Sequence, residues 1–477
     1  MRIRISLCLG AAAALALLSG MMVMSAEPAA PKEGVSLTVY NQNFAVVKEV
    51  RQLAIAAKTA TVQFADVAKL IDPTSVTFKS LTDPAGTAVL EQNFEFDLVS
   101  ADKLLDKYID KSLTVVTKQG KNYEGILQSF DPQQLILKGK GGLVMVQRPD
   151  NVQNIEFGAS PEGLLTRPTL VWKVATEKPG AHLAQVTYQT QGMSWQADYS
   201  ALINKDDTRM DLSGWVTITN QSGAAYKDAR VKLIAGEVRR IEPLQEQEKL
   251  AEDKDAAAAQ LGGMGGKPIE EKPFFEYHMY TLQQPTTVNE NQVKQVELLR
   301  AADVPVVKRF VFEPNGPYWH PRYGQSNEYK VNVFVEFKNA QENHLGMALP
   351  KGKVRVYKRD PADNDLEFVG EDEIDHTPKD EELKLYVGDA FDVVGEKIVT
   401  DHKQGDRWSQ DSVKIEVRNH KAEDAKVLVR EHLNMAQWEL TAKSKDFKKV
   451  DATTIEFELA VPKDGKAEVT YTVMYRW

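Results

Sequence analysis

The chain has 477 residues, 42% apolar and 27% charged, which excludes a wholly disordered, a collagen-like or a multi-span helical membrane protein. Acidic residues outnumber basic ones by 68 to 59, for a net charge of −9, so the basic footprint of nucleic-acid binding is missing. At roughly 150 residues per domain the length predicts about three domains.

Residues 1–26 read as a secretory signal peptide. Arg2 and Arg4 give a basic start, Ile5 to Leu18 an apolar run, and Met24-Ser25-Ala26 or Pro28-Ala29-Ala30 a small-residue cleavage end. The run is short for a bilayer span. An uncleaved anchor is the competing reading, because Met21 to Met24 prolong the apolar stretch. The single cysteine, Cys8, lies inside this segment. Disulfides, cysteine nucleophiles and cysteine metal ligands are therefore not expected in the mature protein. The expected location is exported, periplasmic or extracellular, with no integral membrane span after signal removal.

Beyond the signal the hydrophobic period is two. Val35, Leu37 and Val39 alternate with polar neighbours, as do Val331, Val333, Val335 and Phe337, and Ile455, Phe457, Leu459 and Val461. Alternation of this kind marks strands with one buried face. Ser100 reads as the N-cap of a short helix carrying Leu104, Leu105 and Tyr108. Residues 108–157 follow as five short strands, with Gly125 where a sharp bend needs a missing side chain. This unit is expected to be a small Sm-like or SH3-like barrel inserted into an amino-terminal β region, 27–240. RNA binding, common among Sm-type barrels, is disfavoured by the export signal and the acidic charge.

Three strands end in asparagine: Val216 to Asn220, Val335 to Asn339, and Val413 to Asn419. Asparagine tolerates positive φ and bonds nearby backbone, so it suits a strand-ending turn. The recurrence favours immunoglobulin-like β-sandwich modules. Residues 241–273 are acidic and Gly-rich and are expected to be a linker. A central β-sandwich region, 274–404, and a carboxy-terminal immunoglobulin-like module, 405–477, complete the expected organisation. The fold class is thus mainly β, with several sandwich modules and the small barrel insertion. Trp172, Trp195, Trp215, Trp408 and Trp438 fall inside alternating patterns and are expected in the core.

The segments Tyr188 to Tyr199, Leu212 to Asn220, Leu345 to Tyr357 and Arg418-Asn419-His420-Lys421 resemble the domain of unknown function 4139 family of exported bacterial proteins. The resemblance implies export and a mainly β fold. It supplies no reaction and no catalytic residues.

Chemistry motifs are sparse. The chain has no G-x-S-x-G elbow, no H-E-x-x-H and no P-loop. Its eight histidines are scattered. His376, followed by Asp380, Glu381 and Glu382, is the candidate for a metal- or carboxylate-dependent hydrolase site. Asp360, Asp363, Asp365 and Glu367 space oxygen ligands as calcium requires, but lack the full loop pattern; a hairpin turn is the preferred reading. Tyr318, Trp319, His320 and Tyr323 concentrate aromatic rings in a Pro-rich stretch and are a candidate contact surface.

Val469, Tyr471, Val473, Tyr475 and Trp477 alternate to a terminal aromatic, the pattern that ends many outer-membrane barrels. The favoured reading is a sandwich strand forming a hairpin with Ile455 to Val461 across Asp464-Gly465. Together these observations give a non-enzymatic exported cell-envelope protein with a scaffold or binding role and no cofactor. Its expected partner is a protein or envelope component. A hydrolase near His376 and an outer-membrane β-barrel are the alternatives.

Overall fold

The computed structural model describes residues 32–95, 101–158, 167–240, 269–314, 326–360 and 362–477. The expected signal peptide and the contact-surface candidates Tyr318, Trp319, His320 and Tyr323 lie outside them. The described chain from Glu33 onward is mainly β, in five open sheets and with one short α-helix. No helix among the described residues is long and apolar enough to cross a membrane.

In the first sheet Gly34–Tyr40 runs antiparallel to Phe44–Ile55 and parallel to Tyr226–Ala235. Phe44–Ile55 also pairs with Gly180–Gln191 along its whole length. A three-stranded sheet places Thr169–Thr176 between Thr59–Ala65 and Thr87–Glu95. Chain on both sides of residues 108–157 therefore shares ladders. Alternation does the packing: Trp172 is fully buried against Phe64 and the edge of Phe78, and its indole N–H donates to Gln92 Oε1 at 2.9 Å.

The intervening unit has its own core. Helix Ala101–Lys107 contributes Leu105, which packs with Tyr108, Leu113, Val115, Leu127, Leu135, Leu137 and Val146. The five strands lie in the order Val152–Phe157, Ser112–Thr117, Asn122–Phe130, Gln134–Gly139, Gly142–Gln147. A Cβ on Gly125 would sit 3.0 Å from the Lys138 carbonyl oxygen, the close approach that the bend requires. The sheet stays open. Its first and last strands in this order pair on one side only, and Leu143 and Met145 are exposed along one edge.

The two remaining sheets cross the expected module boundaries. The five-stranded one orders Gln292–Pro305, Arg209–Asn220, Met193–Ile203, Gly352–Arg359 and Leu366–Ile374, so it joins chain on either side of 241–273. The nine-stranded one includes Val307–Phe312, Ser326–Lys338 and the 24-residue strand Glu382–Gly405, together with strands up to Arg476. Ile269–Phe274, read from sequence as mostly the end of the linker, is a strand. It pairs with Tyr277–Leu282 and buries Ile269. The rest of the linker lies outside the described residues.

The expected carboxy-terminal hairpin does not form. Gly465–Arg476 pairs with Trp408–Asn419 and Trp438–Lys443, whereas Thr454–Val461 pairs with Ala425–His432. The two strands instead meet face to face, with Phe457 stacked on Tyr471 at 5.6 Å. The corner between them is captured from outside: Asn419 Nδ2 donates to the Val461 and Pro462 carbonyls, and Asp464 takes φ +46°. Val469, Tyr471, Val473 and Tyr475 are all buried in this core, whereas Trp477 is 50% exposed, so these four side chains form no outward aromatic band of the outer-membrane kind. Of the tryptophans expected in the core, Trp172 and Trp195 are buried. Trp408 is 37% exposed, because it closes the tight turn from Gly405 and its ring lies over that glycine.

The three strand-ending asparagines are fully buried and do the same work at three corners. Asn220 Nδ2 donates to the Ala224 and Asn289 carbonyls, at 2.8 and 3.0 Å. Asn339 Nδ2 donates to Met347 and Pro378, at 2.8 and 2.9 Å. Asn419 adds the Glu423 carbonyl at 2.9 Å. In each case Oδ1 accepts a backbone N–H of the same turn, from Ser222, Gly346 and Lys421 respectively. A buried amide that satisfies both its donors and its acceptor fixes a corner without leaving orphaned polar groups.

Candidate functional site

The chain passes from the five-stranded to the nine-stranded sheet at Val306, between strands Gln292–Pro305 and Val307–Phe312. A cleft of about 320 Å³ opens along this seam. Ile203, Lys358 and Val369 come from one sheet, and Lys308, Phe310, Val333, Val335 and Val387 from the other. Its volume is at the low end for a small-molecule site, and its walls are mostly apolar.

Three ammonium groups meet at this cleft. Lys308 Nζ reaches Asp207 Oδ2 at 2.8 Å, and Lys358 Nζ bonds Asp207 Oδ1. Asp207 sits at φ +55° in the turn between Met193–Ile203 and Arg209–Asn220, which aims its carboxylate back into the seam. Burial alone would raise the Asp207 pKa. The hydrogen bonds and charges of the two lysines outweigh it and hold the carboxyl below the usual range. Lys421 is delivered by the Asn419 corner and lies 5.2 Å from the Phe310 ring centroid, with Lys308 at 5.5 Å. Its salt-bridge partner is Glu423, at 2.9 Å, whose side chain is 73% exposed. Asp389 and Asp392 also line the cleft; Asp389 is tied to Lys330, Asn332 and Tyr386.

The rim carries an unusual protrusion. Asn332 pairs with Asp389 and Lys330 with Val394, so residues 390–392 bulge from the long strand, while Val393 stays buried and pairs with Asn419. Gly388 enters the bulge at φ +133°, which other residues rarely adopt. The bulge leaves Phe391 94% exposed at the cleft mouth.

The residues singled out from sequence lie elsewhere. His376 Nδ1 accepts the Lys351 backbone N–H at 3.0 Å. Burial of the ring lowers its pKa, and the Lys351 and His278 charges act in the same direction, against Asp375 and Glu237. The Asp380–Glu382 run closes the Asn339 corner: Asp380 N–H donates to the Asn339 carbonyl, Asn339 N–H donates to Glu381, and Glu382 enters a strand. Asp360 Oδ1 accepts the Ala362 N–H, and Asp363 Oδ1 accepts that of Asp365. These carboxylates shape the turn between Gly352–Arg359 and Leu366–Ile374, where Glu367 pairs opposite Lys358. Among the described residues no three or more histidine, aspartate or glutamate side chains gather as a metal site.

One contact of the catalytic type was not read from the sequence. Ser80 Oγ lies 3.0 Å from His182 Nδ1, and His182 Nε2 lies 2.7 Å from the Lys178 carbonyl. The carbonyl can only accept, which assigns the proton to Nε2 and makes Nδ1 the acceptor of the serine hydroxyl. A nucleophile and an oriented base are thus in hydrogen-bond reach. Both residues are 1% exposed, however, and Ser80 Oγ also accepts the Asp83 N–H. The arrangement satisfies buried polar groups at a strand end and offers no face to a substrate. The cleft was missed as well: Asp207, Lys308, Lys358 and Lys421 are far apart in sequence, and no local spacing links them.

The family model for the domain of unknown function (DUF4139) matches residues 184–477, more than half the chain and the whole of the cleft. No curated protein and no solved structure matches the chain. The matched stretch includes the strands that build both sheets of the seam, and the chain belongs to the DUF4139 family.

Proposed function

We propose that the chain is an exported, non-enzymatic binding protein of the cell envelope, and that the seam cleft is where it holds its ligand. The observation that carries this reading is the cleft itself: apolar walls from two sheets, with three half-buried lysines converging on one opening. Convergent polar groups over an apolar floor are what a specific binding site needs. Export is supported by the amino-terminal sequence pattern, and the reading uses no cofactor. We also read the small sheet as a relative of Sm-like barrels, supported by its five short strands, the helix before them and the bend at Gly125. The carboxy-terminal strands of the nine-stranded sheet, which share a core of their own, support the sandwich reading of the carboxy-terminal part.

Two measurements test this. Amino-terminal sequencing of the protein from an envelope fraction should begin near Glu27; a chain beginning at Met1 contradicts export by this route. A thermal-shift screen of metabolites and lipids should find a compound that stabilises the wild type but not a Lys421→Glu, Phe391→Asp variant. Such a compound at a hundredfold its Kd contributes about 2.7 kcal/mol. If every stabilising compound acts equally on the variant, the cleft is not the binding site.

A further inference from the structure

We propose that the seam cleft binds a single-chain amphiphile with a carboxylate head, the hydrocarbon lying on Phe310, Val333 and Val335 and the head on Lys421; this rests on the binding reading above. The floor decides the first half. Val333 lies in ladders with both Phe310 and Gly388, and Val335 with both Lys308 and Leu385. The floor strands are paired on both sides, so the floor offers side chains and few free backbone groups. A peptide laid there would leave its amides without partners, a cost of about 1–3 kcal/mol each. A hydrocarbon has no such groups and gains from every apolar wall. Phe391 at the rim, 94% exposed, adds an apolar surface that the protein itself leaves uncovered.

The lysines decide the second half. The anion that these ammonium groups take in the structure is a carboxylate, Asp207 for Lys308 and Lys358, and Glu423 for Lys421. The Asp207 pair is half-buried and doubly bonded, so it stays closed. The Lys421–Glu423 pair is different. Glu423 is 73% exposed, and exposed pairs are worth little, so a ligand carboxylate can replace it. Burial of the ligand head beside Phe310 then gives Lys421 a partner in a drier setting than Glu423 does. Asp392 adds a negative charge to the same rim and opposes the head group.

The test uses the full chain with dodecanoate, dodecanol and dodecylamine, each kept below its solubility limit and below any micellisation concentration, in calorimetric titrations. Dodecanoate should bind tightest and dodecylamine weakest. Lys421→Gln should weaken dodecanoate about tenfold and leave dodecanol unchanged. Phe391→Ser, at a position too exposed to affect folding, should weaken both, and Asp392→Asn should tighten dodecanoate alone. Equal affinity for the three probes, or dodecanoate binding indifferent to Lys421→Gln, overturns the proposal. If a hydrophilic compound instead shows Lys421-dependent and Phe391-dependent stabilisation while dodecanoate does not bind, the amphiphile is wrong and the binding reading survives. If no compound's binding depends on either residue, both fail.

Discussion

Replacing Asn419 should unfasten the corner that carries Lys421 into the cleft. Its side chain is fully buried. Nδ2 faces the carbonyls of Glu423, Val461 and Pro462 at 2.9, 3.3 and 3.1 Å, and Oδ1 accepts the Lys421 N–H at 3.0 Å. Two N–H donors serve three acceptors, so one bond is shared. Asn419→Ala removes about three net hydrogen bonds at about 1 kcal/mol each and leaves buried groups unpaired, for an expected loss of about 2–4 kcal/mol. Asn419→Asp keeps the volume and the acceptor but turns a carboxylate toward three carbonyls. It should cost at least as much at neutral pH and less in acid, where the protonated carboxyl regains one donor. Urea unfolding gives the loss. Hydrogen exchange at 419–424 and 461–465 reports whether it is local, which matters because a protein of several sheets need not unfold in one step. A loss below about 1 kcal/mol for alanine, or an aspartate variant more stable than the alanine one at neutral pH, would refute the reasoning.

Three further outcomes follow from the same structure. Tyr471→Phe removes the hydroxyl that donates to Glu431 at 2.6 Å, leaving a carboxylate that is 1% exposed with Lys397 alone and one oxygen, Oε1, already unpartnered; urea melts should show a loss of about 1–3 kcal/mol. Asp207 is held below the usual carboxylate pKa, so its stabilising contribution is full above that ordinary value and disappears as pH falls through the lowered one. Acid titration of the wild type against Asp207→Asn should therefore show the wild-type advantage shrinking only below about pH 4; an advantage that grows in acid reverses the sign and contradicts the assignment. A serine-directed phosphonate should leave Ser80 unlabelled in the native protein, because the hydroxyl is 1% exposed; labelling that disappears in His182→Ala would instead make the pair a working dyad.

Alternation made the strands readable, because period two reports one buried face whatever the partner strand. It could not report the partner. The turn residues between Ile455 to Val461 and Val469 to Tyr475 predict a hairpin, yet the two strands face each other across a core. The Asn419 amide, 42 residues before Val461, pulls the chain between them over to the other half of the sheet. The three asparagines were legible as a pattern, but their burial and their reach to remote carbonyls were not, since those carbonyls lie as far as 69 residues away. Histidine and carboxylate clustering in sequence drew attention to His376, whereas its neighbours serve turns. The cleft has no local signature at all: a lysine in a strand reads as a solvated face until tertiary structure sets it beside Asp207. Trp408 shows the converse failure, an aromatic within an alternating run that the tight turn at Gly405 holds at the surface.

On the proposed binding mode a carboxylate amphiphile occupies the seam between the two sheets. This can be read directly with a dodecanoate bearing a diazirine at the far end of its chain. Irradiation and peptide mapping should place the adducts on strand Val307–Phe312, on Val333 to Val335 and on the bulge at 390–392, and excess dodecanoate should abolish them. Adducts concentrated on the exposed Leu143–Met145 edge, or scattered over the surface and resistant to competition, would show that the cleft holds no such ligand.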